Sequence, residues 1–259
     1  MVYADLHVHT TNSDGTMTVD EVPAAADRAG VSVVAVTDHD RPHPDLDDPV
    51  SERDGVTVVH GIELRVEAGD QRVDLLGYGV RRTDDLLGLV DHVQTDREQR
   101  GQAIIDCVED RLGVDLGIEG RSGLGRPHVA RAVADHPDAD HDYGDVFEHL
   151  IGDDCPCYVP RDVPSFDRGR EVLDEACGLL SLAHPLRYPD PASALELCAD
   201  LPAVERYYAY GHKVDESPVA RAVEEYDLLV TGGSDAHDDS LGLAGLERQE
   251  YQRVVERLG

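Results

Sequence analysis

Residues 5–16 read DLHVHTTNSDGT, and the pair His7 and His9 within them decides how the rest of the chain is read. Residues 1–6 suit a β-strand, so the two imidazoles follow a strand end. Two apart in an extended chain, they point to the same side and can chelate one ion. The arrangement recurs downstream. Asp38 and His39, in AVTDHD, follow a candidate strand at 33–37, and Glu63 closes another at 56–64 within Gly61-Ile62-Glu63. His184 ends the strand in LLSLAHP, and Asp235 and His237, in GGSDAH, follow a strand at 228–232. In a barrel of parallel strands these C-terminal ends share one face, so residues far apart in sequence meet there. One histidine at a strand end is ordinarily a satisfied polar residue. Five strand ends in register, each with His, Asp or Glu, point to a metal centre.

The intervening sequence supports an α/β fold. Further strand candidates lie at 73–78, 178–183 and 204–208, and helical patterns at 18–29, 84–112, 167–176, 192–199 and 216–226. Alternating strand and helix argue for a parallel sheet or barrel. Asp20, Glu21 and Pro23 suit the start of the first helix, and Gly30 its end. From about residue 97 to 164 the rhythm changes to helices and loops around an acidic stretch, DHPDADHDYGD. The economical organisation is one domain, 1–259, with a small helical insertion.

The formal net charge is −31, from 23 basic against 54 acidic residues in 259, and Lys213 is the single lysine. Self-repulsion on this scale weakens a compact state at low ionic strength. Molar salt, which shortens the Debye length to about 3 Å, screens it. Acid spread along the chain, little lysine and few large aromatics fit a salt-accumulating halophile, and disfavour a general nucleic-acid-binding surface. No apolar run approaches the roughly 18–20 residues of a membrane span, and no secretory signal is visible at the N-terminus. Five cysteines without framework spacing point to a reducing cytoplasm; Cys155 and Cys157 read as ordinary semi-buried thiols.

DLHVHTTNSDGT, AVTDHD, GIE, LAHP and GGSDAH, in this order, resemble the PHP (polymerase and histidinol phosphatase) domain family, specifically stand-alone metal-dependent phosphoesterases acting on nucleotides. The resemblance implies a distorted seven-stranded (β/α) barrel with two or three divalent ions at its mouth, manganese first, iron or zinc as alternatives. It places His7, His9, Glu63 and Asp235 on the first ion, with Glu63 bridging to a second that His184 also holds. Asp14, His39 and His237 fall on the third. One position departs from the pattern: where relatives have His before the fourth-strand Gly, this chain has Asp74, which is expected to serve as the second ion's remaining ligand.

The insertion carries Gly125-Arg126-Pro127-His128 and Tyr158-Val159-Pro160-Arg161, which resemble the family's GRPH and YVP-basic elements. Arg126, His128, Arg161, Arg187 and His212 are therefore expected to bind phosphate. A guanidinium fork matches phosphate oxygens. Glu63, Arg126, Arg161, His128 as proton donor and Asp38 as an orienting carboxylate form the expected catalytic set. The implied function is hydrolysis of nucleotide phosphate monoesters, either 3′,5′-nucleoside bisphosphates or short 5′-phosphorylated oligonucleotides. A histidinol-phosphate phosphatase and a weakly active metal-binding module are the alternatives. A small phosphorylated substrate or short single-stranded nucleic acid is the expected partner, with no membrane.

Overall fold

The computed structural model describes residues 1–258 in two compact units, 1–88 with 163–258, and 89–162. In the first, strands β1 (Ala4–Val8), β2 (Val33–Val36), β4 (Val56–Ala68), β5 (Gln71–Tyr78), β6 (Leu179–Leu182), β7 (Ala203–Tyr208) and β8 (Leu229–Gly233) follow one another around a sheet, with β3 (Val50–Arg53) attached to β4. A parallel bridge between Val8 and Ala236 brings the last strand beside the first, giving a nearly closed barrel among the described residues. Its helices are α1 (Val22–Ala29), the start of α2 (Asp84–Leu112), α5 (Phe166–Ala176), α6 (Pro191–Glu196), α7 (Ser217–Tyr226) and α8 (Arg248–Leu258).

One strand breaks the all-parallel expectation. β5 runs antiparallel to both β4 and β6, whereas the β1–β2, β2–β4, β6–β7 and β7–β8 pairs are parallel. The cause is local: Ala68 pairs with Gln71, so only Gly69 and Asp70 connect the strands, and Gly69 has φ +65°. So short a turn permits only antiparallel neighbours. Sequence periodicity also misses β3, a hairpin partner of β4 turned by Asp54 and Gly55, both at positive φ.

Ala4, Leu6, Val33, Ala35, Val59, Leu76, Tyr78 and Ala203 form one buried cluster, which Tyr251, Val254 and Leu258 of α8 join. A second cluster packs Val22, Ala25 and Ala26 of α1 against Val8, Val34, Val36 and Val58. α1 starts four residues later than its sequence pattern suggests, because Thr18 and Glu21 close a turn on each other; Gly30 ends it at φ +71° as expected.

The second unit starts inside α2, whose unbroken run to Leu112 hides the boundary from a reading of local rhythm. It contains α3 (Arg126–Ala134) and α4 (Tyr143–Val146), which leads into a wide turn at Phe147–Ile151. Ile104, Ile105, Val108, Leu124, Val129, Val133 and Ile151 form its core. Cys107 and Cys157 are joined in a disulfide, contrary to the expectation of free thiols; a sequence separation of 50 gives no spacing cue to the pairing. No helix among the described residues is long and apolar enough to cross a membrane.

Candidate metal centre

The sequence places histidines at strand ends, and the fold points them at one carboxylate. Glu63, buried in β4, has Oε1 2.9 Å from His184 Nε2 and 3.5 Å from His7 Nε2, while Oε2 lies 2.7 Å from His39 Nδ1 and 3.4 Å from His9 Nε2. Asp235 Oδ1 completes the first group, 3.4 Å from His7 Nε2 and 3.0 Å from His9 Nε2. Asp14 forms a second focus, 3.7 Å from His39 Nε2 and 3.3 Å from His237 Nε2.

Close backbone packing builds these groups. A side chain at Gly15 would come within 2.4 Å of the His9 carbonyl, so only glycine lets the loop fold back and return Asp14 to the mouth. Gly233 is needed for the same reason where β8 presses on His7. His184 and Asp235 have φ +27° and +52°, unfavourable for residues with a Cβ. Each such residue costs on the order of 1–3 kcal/mol, and both project a side chain into the cluster.

The donor set fits divalent cations. His7 Nε2, both ring nitrogens of His9, Glu63 Oε2 and Asp235 Oδ1 are buried without a well-formed hydrogen bond among the described residues. Buried polar atoms left this way call for a partner. Imidazoles and carboxylates in alternation suit manganese, iron(II) or zinc. Four sets place one donor atom from each member within 4.8 Å of the others: His9, Asp14, His39 and His237; His7, His9 and Glu63; His7, His184 and Asp235; and Glu63, Asp74 and His184.

The charges are correspondingly coupled. Burial would raise Glu63, but the imidazoles of His39 and His7, with the close contact of His184, hold it well below the usual carboxylate range. Burial likewise opposes the ionised form of Asp235, and His7 and His9 outweigh it downward. Burial lowers His39, yet Glu63 and Asp14 lift it to about 9. His9 goes the other way, lowered by burial and by its neighbour His39.

Several supporting residues carry no motif. Glu205 in β7 is fully buried, with Oε1 3.0 Å from His7 Nδ1 and Oε2 accepting from the His184 amide at 2.7 Å. Asp5 accepts from the Ser234 and Gly242 amides and the Ser234 hydroxyl, tying β1 to the loop after β8. A carboxylate inside a strand with no apolar alternation break is the signal that could have found both. Asp38 accepts from Thr10, Asn12 and Ser13, so its carboxylate braces the loop leading to Asp14; the hydrogen bonds run to that loop, where orientation of a histidine was expected.

Asp74 sits beside Glu63 and His184, as the sequence suggests, but faces an unexpected partner. Arg65 Nε and Nη2 donate to its two oxygens at 2.7 and 2.6 Å. Arg187 donates to the Tyr208 hydroxyl and to Asp235 Oδ2, and lines a cavity of about 640 Å³ with Tyr208, Tyr210, His212, Asp235 and His237. Arg187 and His212 thus share a cavity with two members of the cluster.

Arg126, His128 and Arg161 belong to the second unit. Arg126 donates to Asp153 and the Ile151 carbonyl, and its guanidinium lies over the Phe147 and Tyr158 rings at 5.9 and 5.7 Å. His128 Nδ1 accepts from the Gly125 amide. Arg100, half-way along α2, is pushed down to about 10 by burial and then by the charges of Arg126 and Arg161.

Known proteins resemble the whole chain. A 5′-3′ exoribonuclease of Haemophilus influenzae is 26% identical, covering 90% of this chain and 89% of its own length. A phosphoribosyl 1,2-cyclic phosphate 1,2-diphosphodiesterase of Eggerthella lenta is 31% identical, covering 90% and 93%. A 3′,5′-nucleoside bisphosphate phosphatase of Chromobacterium violaceum is 25% identical, covering 92% and 88%. A solved structure from Bifidobacterium adolescentis, provisionally described as a metal-dependent phosphoesterase, has the same fold, with TM-score 0.80 over 99% of this chain and 96% of its own at 21% identity. The PHP domain model matches residues 5–257. With that match running from the strand that bears His7 to the final helix, the chain belongs to the PHP domain family.

Proposed function

We propose that this chain is a metal-dependent phosphoesterase that hydrolyses phosphate monoesters of nucleotides, either 3′,5′-nucleoside bisphosphates or short 5′-phosphorylated oligonucleotides. The observation that carries the proposal is the Glu63 carboxylate, set between four imidazoles with Asp235 and Asp14 alongside. His7, His9, Glu63 and Asp235 would hold one divalent ion, and Asp14, His39 and His237 another. Bound there, such ions activate a water nucleophile and neutralise the phosphate.

The chain's own residues do the rest. Glu63 reaches His184 and His7 through Oε1 and His39 and His9 through Oε2, so it fixes the spacing of the two groups. Glu205 holds His7 so that Nε2 faces the cluster. Arg126 and Arg161 take phosphate oxygens and stabilise the charge that grows on them. Arg187 and His212 line the cavity beside Asp235 and His237 for the remainder of the substrate. Water adds to phosphorus, the ester P–O bond breaks, and His128 returns a proton to the leaving oxygen. The acidic composition fits molar salt, and we expect manganese as the ion and the cytoplasm as the compartment.

The relative named for a cyclic phosphate supports a second reading, a phosphodiesterase of a ribose cyclic phosphate. Inorganic phosphate, mononucleotide and ring-opened monoester, followed together by chromatography for 3′,5′-bisphosphoadenosine, a 5′-phosphorylated trinucleotide, histidinol phosphate and a ribose 1,2-cyclic phosphate in molar KCl with Mn²⁺, separate the readings. We expect one of the first two to dominate and chelation to abolish turnover. Equal, weak release from every substrate, or full activity in metal-stripped protein, overturns the proposal.

A further inference from the structure

We propose that Arg65 replaces an ion: its guanidinium occupies the charge position of the metal expected on Glu63, Asp74 and His184, so that the centre takes two divalent ions, and Asp74 serves the arginine instead of a metal. The inference rests on reading the cluster as a metal centre. Arg187 touches Asp235 through Oδ2 alone, but in the set Glu63, Asp74 and His184 a guanidinium already takes both oxygens of a buried carboxylate.

The strand register builds this pair. Arg65 and Asp74 are directly opposite in the antiparallel β4–β5 ladder, where facing side chains lie close together. Two residues from Glu63 on β4, Arg65 projects from the same face of the strand. The resulting contact is the bidentate fork that guanidinium and carboxylate make at their strongest, Nε to Oδ1 at 2.7 Å and Nη2 to Oδ2 at 2.6 Å. Asp74 is 1% exposed, and Oδ2, the oxygen 3.7 Å from His184 Nε2, is the one that Nη2 binds. The backbone holds both partners still. The Arg65 amide donates to Asp40 at 3.0 Å, and the Asp74 amide donates to the Tyr188 hydroxyl at 2.8 Å.

A divalent ion on Glu63, Asp74 and His184 would have to share a buried carboxylate with a fixed positive charge. Arginine does not escape this by losing its proton. Asp74 and Glu63 instead hold Arg65 well above its ordinary pKa against the effect of burial, with Asp74 the larger influence. The cation that results cannot be removed by a chelator. Its Nη1 is not used in the pair, and the side chain is 39% exposed, so one edge of the guanidinium remains open to an anion.

The decisive measurement is the number of Mn²⁺ ions retained per folded chain after saturation and desalting, by elemental analysis against protein concentration. Wild type is expected to retain two. Asp74→Asn, which keeps the shape of the side chain, is expected to retain two as well. Arg65→Ala combined with Asp74→His removes the cation and supplies an imidazole beside Glu63 and His184, and is expected to retain three. Three ions in wild type, falling to two in Asp74→Asn, would make Asp74 a ligand and overturn the proposal. So would a folded double variant, by circular dichroism, that still retains two. If the double variant does not fold, the counts for wild type and Asp74→Asn decide alone. None of these counts depends on substrate, so a failure of the phosphatase reading is recognised separately by the phosphate-release profile.

Discussion

Glu205 and His7 meet inside the barrel, with 3.0 Å between Oε1 and Nδ1 and neither side chain exposed. The carboxylate thereby fixes which imidazole nitrogen is left for a metal. Its second oxygen holds the backbone at His184, so one buried side chain sets two members of the cluster.

Replacing Glu205 with Gln keeps the shape but puts an N–H where either the His7 or the His184 donor needs an acceptor. Loss of such an outer partner typically costs about 10–100-fold in metal affinity. Calorimetric titration of Mn²⁺ into Glu205→Gln is expected to show a drop of this size, with the circular dichroism spectrum unchanged.

His60 gives a pH dependence away from the cluster. It is buried with both ring nitrogens lacking a partner among the described residues, and burial, then Arg82 and His43, push it down to about 4. The folded protein therefore keeps it neutral, while the unfolded chain takes up a proton near the ordinary value of about 6.5. Its contribution to stability is complete above that value and is lost as pH falls towards 4. The loss amounts to at most about 3 kcal/mol. Thermal unfolding between pH 7 and 4.5 is expected to show a smaller acid-induced decline in His60→Leu than in wild type.

Arg126 is expected to matter for substrate more than for stability. Its pair with Asp153 involves a largely exposed carboxylate, and exposed pairs contribute about 0–1 kcal/mol. A charged hydrogen bond to phosphate contributes about 1.5–3 kcal/mol. Arg126→Ala should lower kcat/KM roughly 10- to 150-fold with little change in the unfolding midpoint. Unchanged steady-state kinetics would remove Arg126 from the phosphate site.

The charge of −31 predicts strong dependence on salt. Raising KCl from 0.1 M to several molar shortens the Debye length from about 10 Å to below about 3 Å. The unfolding midpoint is expected to rise throughout that range; a midpoint independent of KCl would contradict the halophile reading.

The disulfide predicts a different sensitivity. Closing a loop over a separation of 50 residues removes about 4 kcal/mol of chain entropy from the unfolded state in the simplest treatment. Reduction, or Cys107→Ser, should increase proteolytic cleavage within 89–162 more than within the barrel, as read by peptide mapping.

Much of the barrel was legible because its strands are short apolar runs punctuated by the polar residues of the mouth. His9, His39, His184, Asp235 and His237 stand just past strand ends and His7 is the penultimate residue of β1, where their chemistry contrasts with their neighbours. Asp5 and Glu205 are harder to recognise, since each stands alone inside a strand and gains its partner only across the sheet. Arg65 is hidden for the same reason: its meaning comes from the register with Asp74, set by the Gly69-Asp70 turn. The Cys107–Cys157 bond also lies beyond local pattern, because nothing in the spacing identifies which thiols meet.

The seam between β1 and β8 governs when the cluster can exist. Asp5 bonds Ser234 and Gly242 across 229 and 237 residues of sequence. Contacts so distant along the chain make closure a late, slow event in folding. A nascent polypeptide still lacking its eighth strand has His7, His9 and Glu63 but neither Asp235 nor His237, so the full donor set exists only once that strand has been made.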